Sequence, residues 1–151
     1  MFLSTFEKPV DAKRRLVVPQ EFRVAALLAQ GDIEAFDGVY AIAAIGAECI
    51  ECGGPAFFSA YRDVINEYPP LSPVRKALAT RFYASMQKLN FDAAGRITLP
   101  EALCQRFALE GEVLLTGIGE SFQIWNPKAF AAHAQGQEAL ILDAMQKRGV
   151  A

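Results

Sequence analysis

Histidine, tryptophan and cysteine are scarce in this chain: one His, one Trp and three Cys among 151 residues. With a single histidine and no Gly-x-Ser-x-Gly elbow, a Ser–His–Asp hydrolase has no support. His133 itself sits in the alanine-rich stretch AAHAQGQ, where a surface or partly packed side chain is expected. No glycine loop followed by Lys-Ser or Lys-Thr appears, so a phosphate-cradling nucleotide site has none either. The cysteine count is odd and the opening MFLSTFEKPVDAKRR lacks the basic-then-apolar order of a secretory leader, which points to a reducing, cytoplasmic compartment. The longest uncharged apolar run, GVYAIAAIGA at 38–47, is about half the roughly 20 residues that a membrane-spanning helix requires. A basic excess is missing as well. The formal charge of −2 and isoelectric point near 5.4 do not advertise a nucleic-acid binder, although a local basic patch can sit on an acidic body.

What the chain does contain is a 52% hydrophobic composition, enough for a substantial core, and one phrase written twice. VDAKRRLVVPQEF and FDAAGRITLPEAL align without a gap at an offset of 81 positions, laying Asp11 on Asp92, Arg15 on Arg96 and Pro19 on Pro100. Leu16 and Val18 fall on Ile97 and Leu99. Further on, Pro55-Ala-Phe-Phe58 corresponds to Pro127-Lys-Ala-Phe130 if the first copy carries nine extra residues. A repeat of this kind governs the whole fold.

Each copy reads as the same series of elements. Arg15–Val18 and Arg96–Leu99 suit short strands, and Pro19 and Pro100 suit the first helical position, followed by Glu21 and Glu101 at the positive end of the helix dipole. The first helix should run to about Gln30 and stop at Gly31; the second should stop near Gly111. Two strands then follow in each copy, VYAIAAI with ECIEC and EVLLTGI with SFQIW, the latter pair joined through Gly119-Glu120. Helices start at Pro55 and Pro127. Between the copies, EYPPLSP stops one helix and starts another, with Ser72 as N-cap and Pro73 as its first residue. The spacing predicts a bridging helix over 73–85, with Val74, Ala77, Leu78, Arg81 and Phe82 on one side and Arg75, Lys76 and Thr80 outside. A strand over 86–91 leads to the second Asp. At the C-terminus, Leu140, Ile141, Ala144 and Met145 share one side of a helix expected to pack on the body or a neighbouring subunit, or to fray.

Two constellations carry chemistry. Cys49-Ile-Glu-Cys52 is a lone Cys-x-x-Cys. A zinc site would need Cys104 and His133 from other elements, and alternation along a strand predicts one buried and one exposed thiol. The second is the repeated Asp-x-x-x-Arg. Asp before a turn can accept backbone N–H bonds from two and three residues on, and Arg at +4 projects a planar five-donor head suited to phosphate or to guanine O6 and N7. An Asp11–Arg15 salt bridge within the turn would explain one copy by packing alone. Two copies in one lobe make a symmetric basic feature that packing does not require.

At these residues the sequence resembles the MraZ family, whose members carry two domains of the AbrB and SpoVT swapped-hairpin type with the signature Asp-x-x-Gly-Arg, apolar strand, Pro. Asp92-Ala-Ala-Gly95-Arg96-Ile-Thr-Leu-Pro100 fits fully, and the similarity extends through Ser-Pro-x-x-Arg at 72–76, Gly111-Glu-Val-Leu-Leu-x-Gly117 and Phe122-Gln-Ile-Trp125-Asn-Pro-Lys-Ala-Phe130. The first copy departs from it: Arg14 stands opposite Gly95, and if that position needs positive φ either the arginine is strained or the turn has changed shape, while the exchange adds a cation.

The resemblance implies an α+β, mainly β fold: a pseudo-symmetric AbrB-like swapped-hairpin β-barrel from two tandem repeats, with flanking helices. The expected division is 1–68 for the first repeat, 69–85 for the bridging segment, 86–130 for the second repeat and 131–151 for a C-terminal helix or tail. It implies a DNA-binding transcriptional regulator rather than an enzyme, cytoplasmic and nucleoid-associated, acting on the promoter of its own division and cell-wall gene cluster. The expected partners are double-stranded DNA and further copies of the chain in a ring, with no cofactor, metal, membrane or small-molecule substrate. The DNA-binding set is Lys13, Arg14, Arg15 and Arg96, and the turn residues are Asp11, Asp92 and Gly95. A ring would show the Lys13-Arg14-Arg15 loop many times on one face, so that weak contacts reinforce one another. Two other functions stay open: a ring-forming protein-interaction module without DNA binding, and a thiol-redox protein built on Cys49 and Cys52.

Overall fold

The computed structural model describes residues 1–149. The first half comprises β1 (Thr5–Val10), β2 (Arg15–Val17), α1 (Gln20–Ala26), β3 (Gly38–Ala43), β4 (Ile50–Gly53) and α2 (Pro55–Asn66). A bridge of α3 (Pro73–Ala79) and a π-helical turn (Thr80–Ala84) leads to β5 (Gln87–Asn90), β6 (Arg96–Thr98), α4 (Glu101–Phe107), β7 (Gly111–Gly117), β8 (Phe122–Trp125) and α5 (Pro127–Lys147).

All eight strands join one antiparallel sheet in the order β5-β3-β4-β8-β7-β1-β2-β6. Its logic is exchange between the halves. The first strand of each half pairs with the third strand of the other, β1 with β7 and β5 with β3. β2 pairs with β6 and β4 with β8 across two pseudo-twofold positions. The two ends of the order, β5 and β6, are consecutive in sequence, and Asp92 N–H bonds to Arg96 O at 2.9 Å as Asp11 N–H bonds to Arg15 O at 3.1 Å. The sheet therefore curls into a nearly closed swapped-hairpin barrel, as the resemblance implies.

Inside the barrel lie Leu16, Ile97, Val113, Leu115, Ile124 and a knot of phenylalanines in which Phe2, Phe22 and Phe122 meet at ring separations of 4.9–5.4 Å. A second cluster covers the outer face of β3, where Tyr40 and Ile42 pack under Phe57 and Ile65 of α2 and Phe82 of the π-helical turn. A third places Cys49 and Trp125 against Ala129 and Phe130 of α5. Helices over the outer face explain why β3 is apolar at every position instead of alternating.

Several expectations shift. Pro19 and Pro100 cap their helices from outside, with ψ of 143° and 133°, because each strand runs into its proline without a linker and the strand-like backbone persists through it. Helix α1 ends at Ala26 instead of Gln30, since Phe22 and Ala26 are its buried residues and Leu27 and Leu28 face solvent. The chain beyond folds back through a Gln30–Ile33 bridge. α4 ends at Phe107, capped by Ala108 in left-handed conformation, and Gly111 already starts β7. In the bridge, Val74 and Ala77 are exposed; the packed side is Leu78, Ala79 and Phe82, while Arg81 donates to the Ala43 and Ala44 carbonyls at 2.8 and 3.0 Å. The five-residue π turn rotates Phe82 inward and Arg81 onto those carbonyls. α5 is one continuous helix with no buried residue, so its C-terminal apolar side is not packed on the body.

Candidate nucleic-acid interface

The two Asp–Arg turns have the same geometry. In the first, Asp11 Oδ1 accepts from Lys13 N–H (2.9 Å) and Arg15 N–H (2.8 Å), while Oδ2 accepts from Arg15 Nε at 2.7 Å. In the second, Asp92 Oδ1 accepts from Ala94 N–H and Arg96 N–H, both at 2.9 Å, and Oδ2 from Arg96 Nε at 2.7 Å. The +3 amide, expected on the carboxylate, instead closes the turn on the Asp carbonyl: Arg14 N–H to Asp11 O and Gly95 N–H to Asp92 O, each 2.9 Å. Backbone hydrogen bonds from Arg15 and Arg96, followed by bonds from their side chains, hold both carboxyls below the usual Asp range despite some desolvation. Each carboxylate thus stays ionised and fixes its arginine through Nε. Both Nη groups of Arg15 and Arg96 remain without a hydrogen-bond partner among the described residues.

Pairing of β2 with β6 brings the turns together. The register Arg15↔Thr98, Leu16↔Ile97 and Val17↔Arg96 puts Leu16 and Ile97 in the barrel and Arg15, Val17, Arg96 and Thr98 on the outer face. The two arginines are diagonal neighbours on this ribbon, a relation that spans roughly 7–8 Å. Lys13 is exposed on the first loop, where the second has Ala94. The salt bridges that packing alone would predict are present in both copies, and they orient the guanidinium heads without covering them.

Arg14 takes φ of +63° and Gly95 of +76°, so the arginine holds the left-handed backbone that its departure from the signature foreshadowed. Its side chain turns inward, Nε donating to Leu99 O at 3.0 Å, and the Leu99 amide in turn donates to Arg14 O at 2.8 Å. Sequence patterns gave no hint of Arg23, whose guanidinium donates to Val18 O and occupies the space beside Gly95.

The remaining candidates behave differently. Cys49 and Cys52 lie on opposite faces of the sheet, but both are buried because both faces are covered. Burial, aided by Glu51 and Glu48, pushes the Cys49 thiol up to about 12, and burial likewise holds the Cys52 thiol well above its ordinary value. Neither can supply a thiolate at neutral pH. The His133 ring lies tilted against Trp125, 4.6 Å between ring centroids. Among the described residues no group of three or more His, Cys, Asp or Glu could hold a metal ion, and no helix is long and apolar enough to cross a membrane. Gly54 precedes α2 as a packing residue: a Cβ there would strike the Ala26 carbonyl.

Comparison with known proteins gives a concordant result. Residues 82–150 match the family described as "MraZ protein, putative antitoxin-like". The chain is 54% identical over 140 residues to the transcriptional regulator MraZ of Phenylobacterium zucineum, covering 93% of this chain and 84% of that protein. It is 51% identical to the protein of the same name from Caulobacter vibrioides strain NA1000, over 93% and 86% of the two chains. Against that of Rickettsia canadensis it is 34% identical, over 93% and 91%.

Proposed function

Since the chain belongs to the MraZ family of transcriptional regulators, we propose that it binds a specific DNA sequence through the β2–β6 ribbon and acts on the promoter of its own division and cell-wall gene cluster. The observation that carries this is the pair of outward arginines, Arg15 and Arg96, each oriented by an ionised Asp and diagonal to the other on one exposed two-stranded face. A two-stranded ribbon fits the major groove, and a guanidinium with two free Nη groups can address guanine O6 and N7. Lys13 lies beside them as a phosphate contact, and Arg14 adds charge to the same loop with its Nε already engaged on Leu99. The chain works without an enzymatic step or cofactor, in the cytoplasm at the nucleoid, and as a ring of identical subunits that multiplies a single basic ribbon into many. Multiplication offsets the net charge of −2 on each copy through effective concentration.

The test is fluorescence anisotropy with a duplex from the gene's own upstream region. Wild-type affinity should fall steeply with added salt, by about 0.9 in log K per log unit of salt for each phosphate contacted. Arg15→Ala should abolish sequence-specific binding while the oligomer mass in light scattering stays unchanged. Full specific binding by that variant would exclude the ribbon as the reading surface. Salt-independent, sequence-independent behaviour of the wild type would favour a ring-forming protein-interaction module instead.

A further inference from the structure

Among the positions at which the two aligned repeats differ, two belong together. Position 14 is Arg where position 95 is Gly, and position 23 is Arg where position 104 is Cys. The exchanges are complementary. Val18 O, at the end of the outward strand of the first repeat, receives the guanidinium of Arg23 from its own helix α1, and Gly95 of the opposing loop leaves the space that guanidinium fills. Leu99 O, the equivalent carbonyl of the second repeat, receives the guanidinium of Arg14 from the opposing loop, while α4 presents only the short, half-buried Cys104 beside it. The backbone bonds around both carbonyls match as well: Val18 N–H to Gly95 O at 3.1 Å and Leu99 N–H to Arg14 O at 2.8 Å.

Equivalent concavities surround the two places. One is lined by Asp11, Ala12, Arg14 and Cys104, the other by Asp92, Ala93, Gly95 and Arg23. Each holds one arginine, reached from opposite sides. A loop glycine with a helix arginine, or a loop arginine with a small helix residue, both seat a cation on the same carbonyl; two arginines would compete for one space, and neither would leave the carbonyl bare.

We propose that Arg14 and Arg23 are one positioning cation placed at two sequence positions, Arg14 bonding its Asp–Arg loop to the end of the other repeat's strand and Arg23 bonding its own strand end while packing against the opposing Gly95 loop, so that together they set the height at which Arg15 and Arg96 meet DNA. Arg14 is then a positioning residue of the reading surface, and the left-handed φ of +63° is tolerated because the clamp holds it. The part concerning DNA rests on the function proposed above; the clamp itself does not.

The experiment combines anisotropy over a salt series with amide hydrogen exchange, using Arg14→Gly, Arg14→Gly/Cys104→Arg, Arg23→Cys and Arg23→Cys/Gly95→Arg. Global stability is a poor readout for Arg14→Gly, because glycine relieves the backbone while removing the bond. Arg14→Gly is expected to raise exchange at the Leu99 amide about ten-fold, as loss of one charged hydrogen bond would, and to leave Val18 unchanged. It should weaken operator affinity with no change in salt slope. Adding Cys104→Arg should return both quantities to within about two-fold of wild type. Arg23→Cys should raise exchange at Val18 and spare Leu99, and Gly95→Arg should restore it. A salt slope that drops by about 0.9 in Arg14→Gly marks Arg14 as a phosphate contact and overturns the proposal. Failure of both double variants to restore local protection also overturns it. If wild-type protein ignores the upstream duplex, the DNA-binding proposal falls, and exchange at Leu99 and Val18 still decides the clamp.

Discussion

At the scale of single residues, the interface turns on how one carboxylate is shared. Asp11 and Asp92 each use one oxygen for two backbone amides and the other for an arginine Nε, so the turn and the arginine are set by the same group. The sequence announced this arrangement through the Asp-x-x-x-Arg spacing and flagged Arg14 by its alignment with a glycine; the structure gives that arginine its positive φ. It was silent on Glu51, an acid between two buried cysteines whose carboxylate is buried and bonded to Ser121 Oγ at 2.8 Å and Tyr61 OH at 3.4 Å. Burial raises its pKa above the usual Glu value, against the lowering effect of those two hydroxyls. From pH 4.5 up to the raised value the folded state holds a proton that the unfolded chain has released, so stability falls as pH rises through this window. Glu51→Gln keeps the acceptor for Ser121 and Tyr61 without the charge. It should flatten that slope and raise the urea midpoint at pH 8 relative to pH 5, measured against wild type; an unchanged slope would remove Glu51 as its source.

At the scale of elements, caps and covers decide where helices stop. Ser72 was readable as a cap from its place before Pro73, and its hydroxyl does accept from Arg75 N–H, at 3.4 Å. Asn126 is the stronger device and was not singled out: its side-chain oxygen accepts from Lys128 and Ala129 amides at 2.9 and 3.2 Å, and its Nδ2 donates to Ala108 O at 3.0 Å. It ties the start of α5 to the left-handed end of α4. Asn126→Ala should therefore cost about 1–2 kcal/mol in urea denaturation, and Ser72→Ala about 0.5 kcal/mol, reflecting one long bond against three good ones. The end of α1 was misplaced by four residues because Leu27 and Leu28 extend the helical pattern of apolar residues in sequence. Only the packed structure shows that both side chains face solvent and not the barrel.

At the scale of the molecule, the exchange of strands between halves makes one body from two incomplete ones, since neither half closes a sheet without the other's β1 or β5. What stays open is α5. Leu140 (66%), Ile141 (48%), Leu142 (53%) and Met145 (43%) are exposed on a helix that makes no use of them in the single chain. In the ring proposed above, a neighbouring copy is the natural cover for this side. Leu140→Glu with Ile141→Glu should lower the mass in light scattering to that of smaller species while the circular dichroism of the barrel persists; an unchanged mass would place the subunit contact elsewhere. Operator affinity should drop with the mass, because each isolated ribbon then binds without the multiplying effect of its neighbours.

The sequence by itself determined the duplication, the strand–proline–helix units and the Asp–Arg turns, and it marked position 14 as the place where the copies part; all of these are local or periodic and so are written within a few residues. Pairing of β2 with β6, the burial of both Cys49 and Cys52, the cover over Glu51 and the reciprocal use of Arg14 and Arg23 were decided only by tertiary structure. Each of these joins residues that the chain keeps far apart or depends on which faces of the sheet are covered. Such facts arise from closure of the barrel, and no short stretch of sequence contains it.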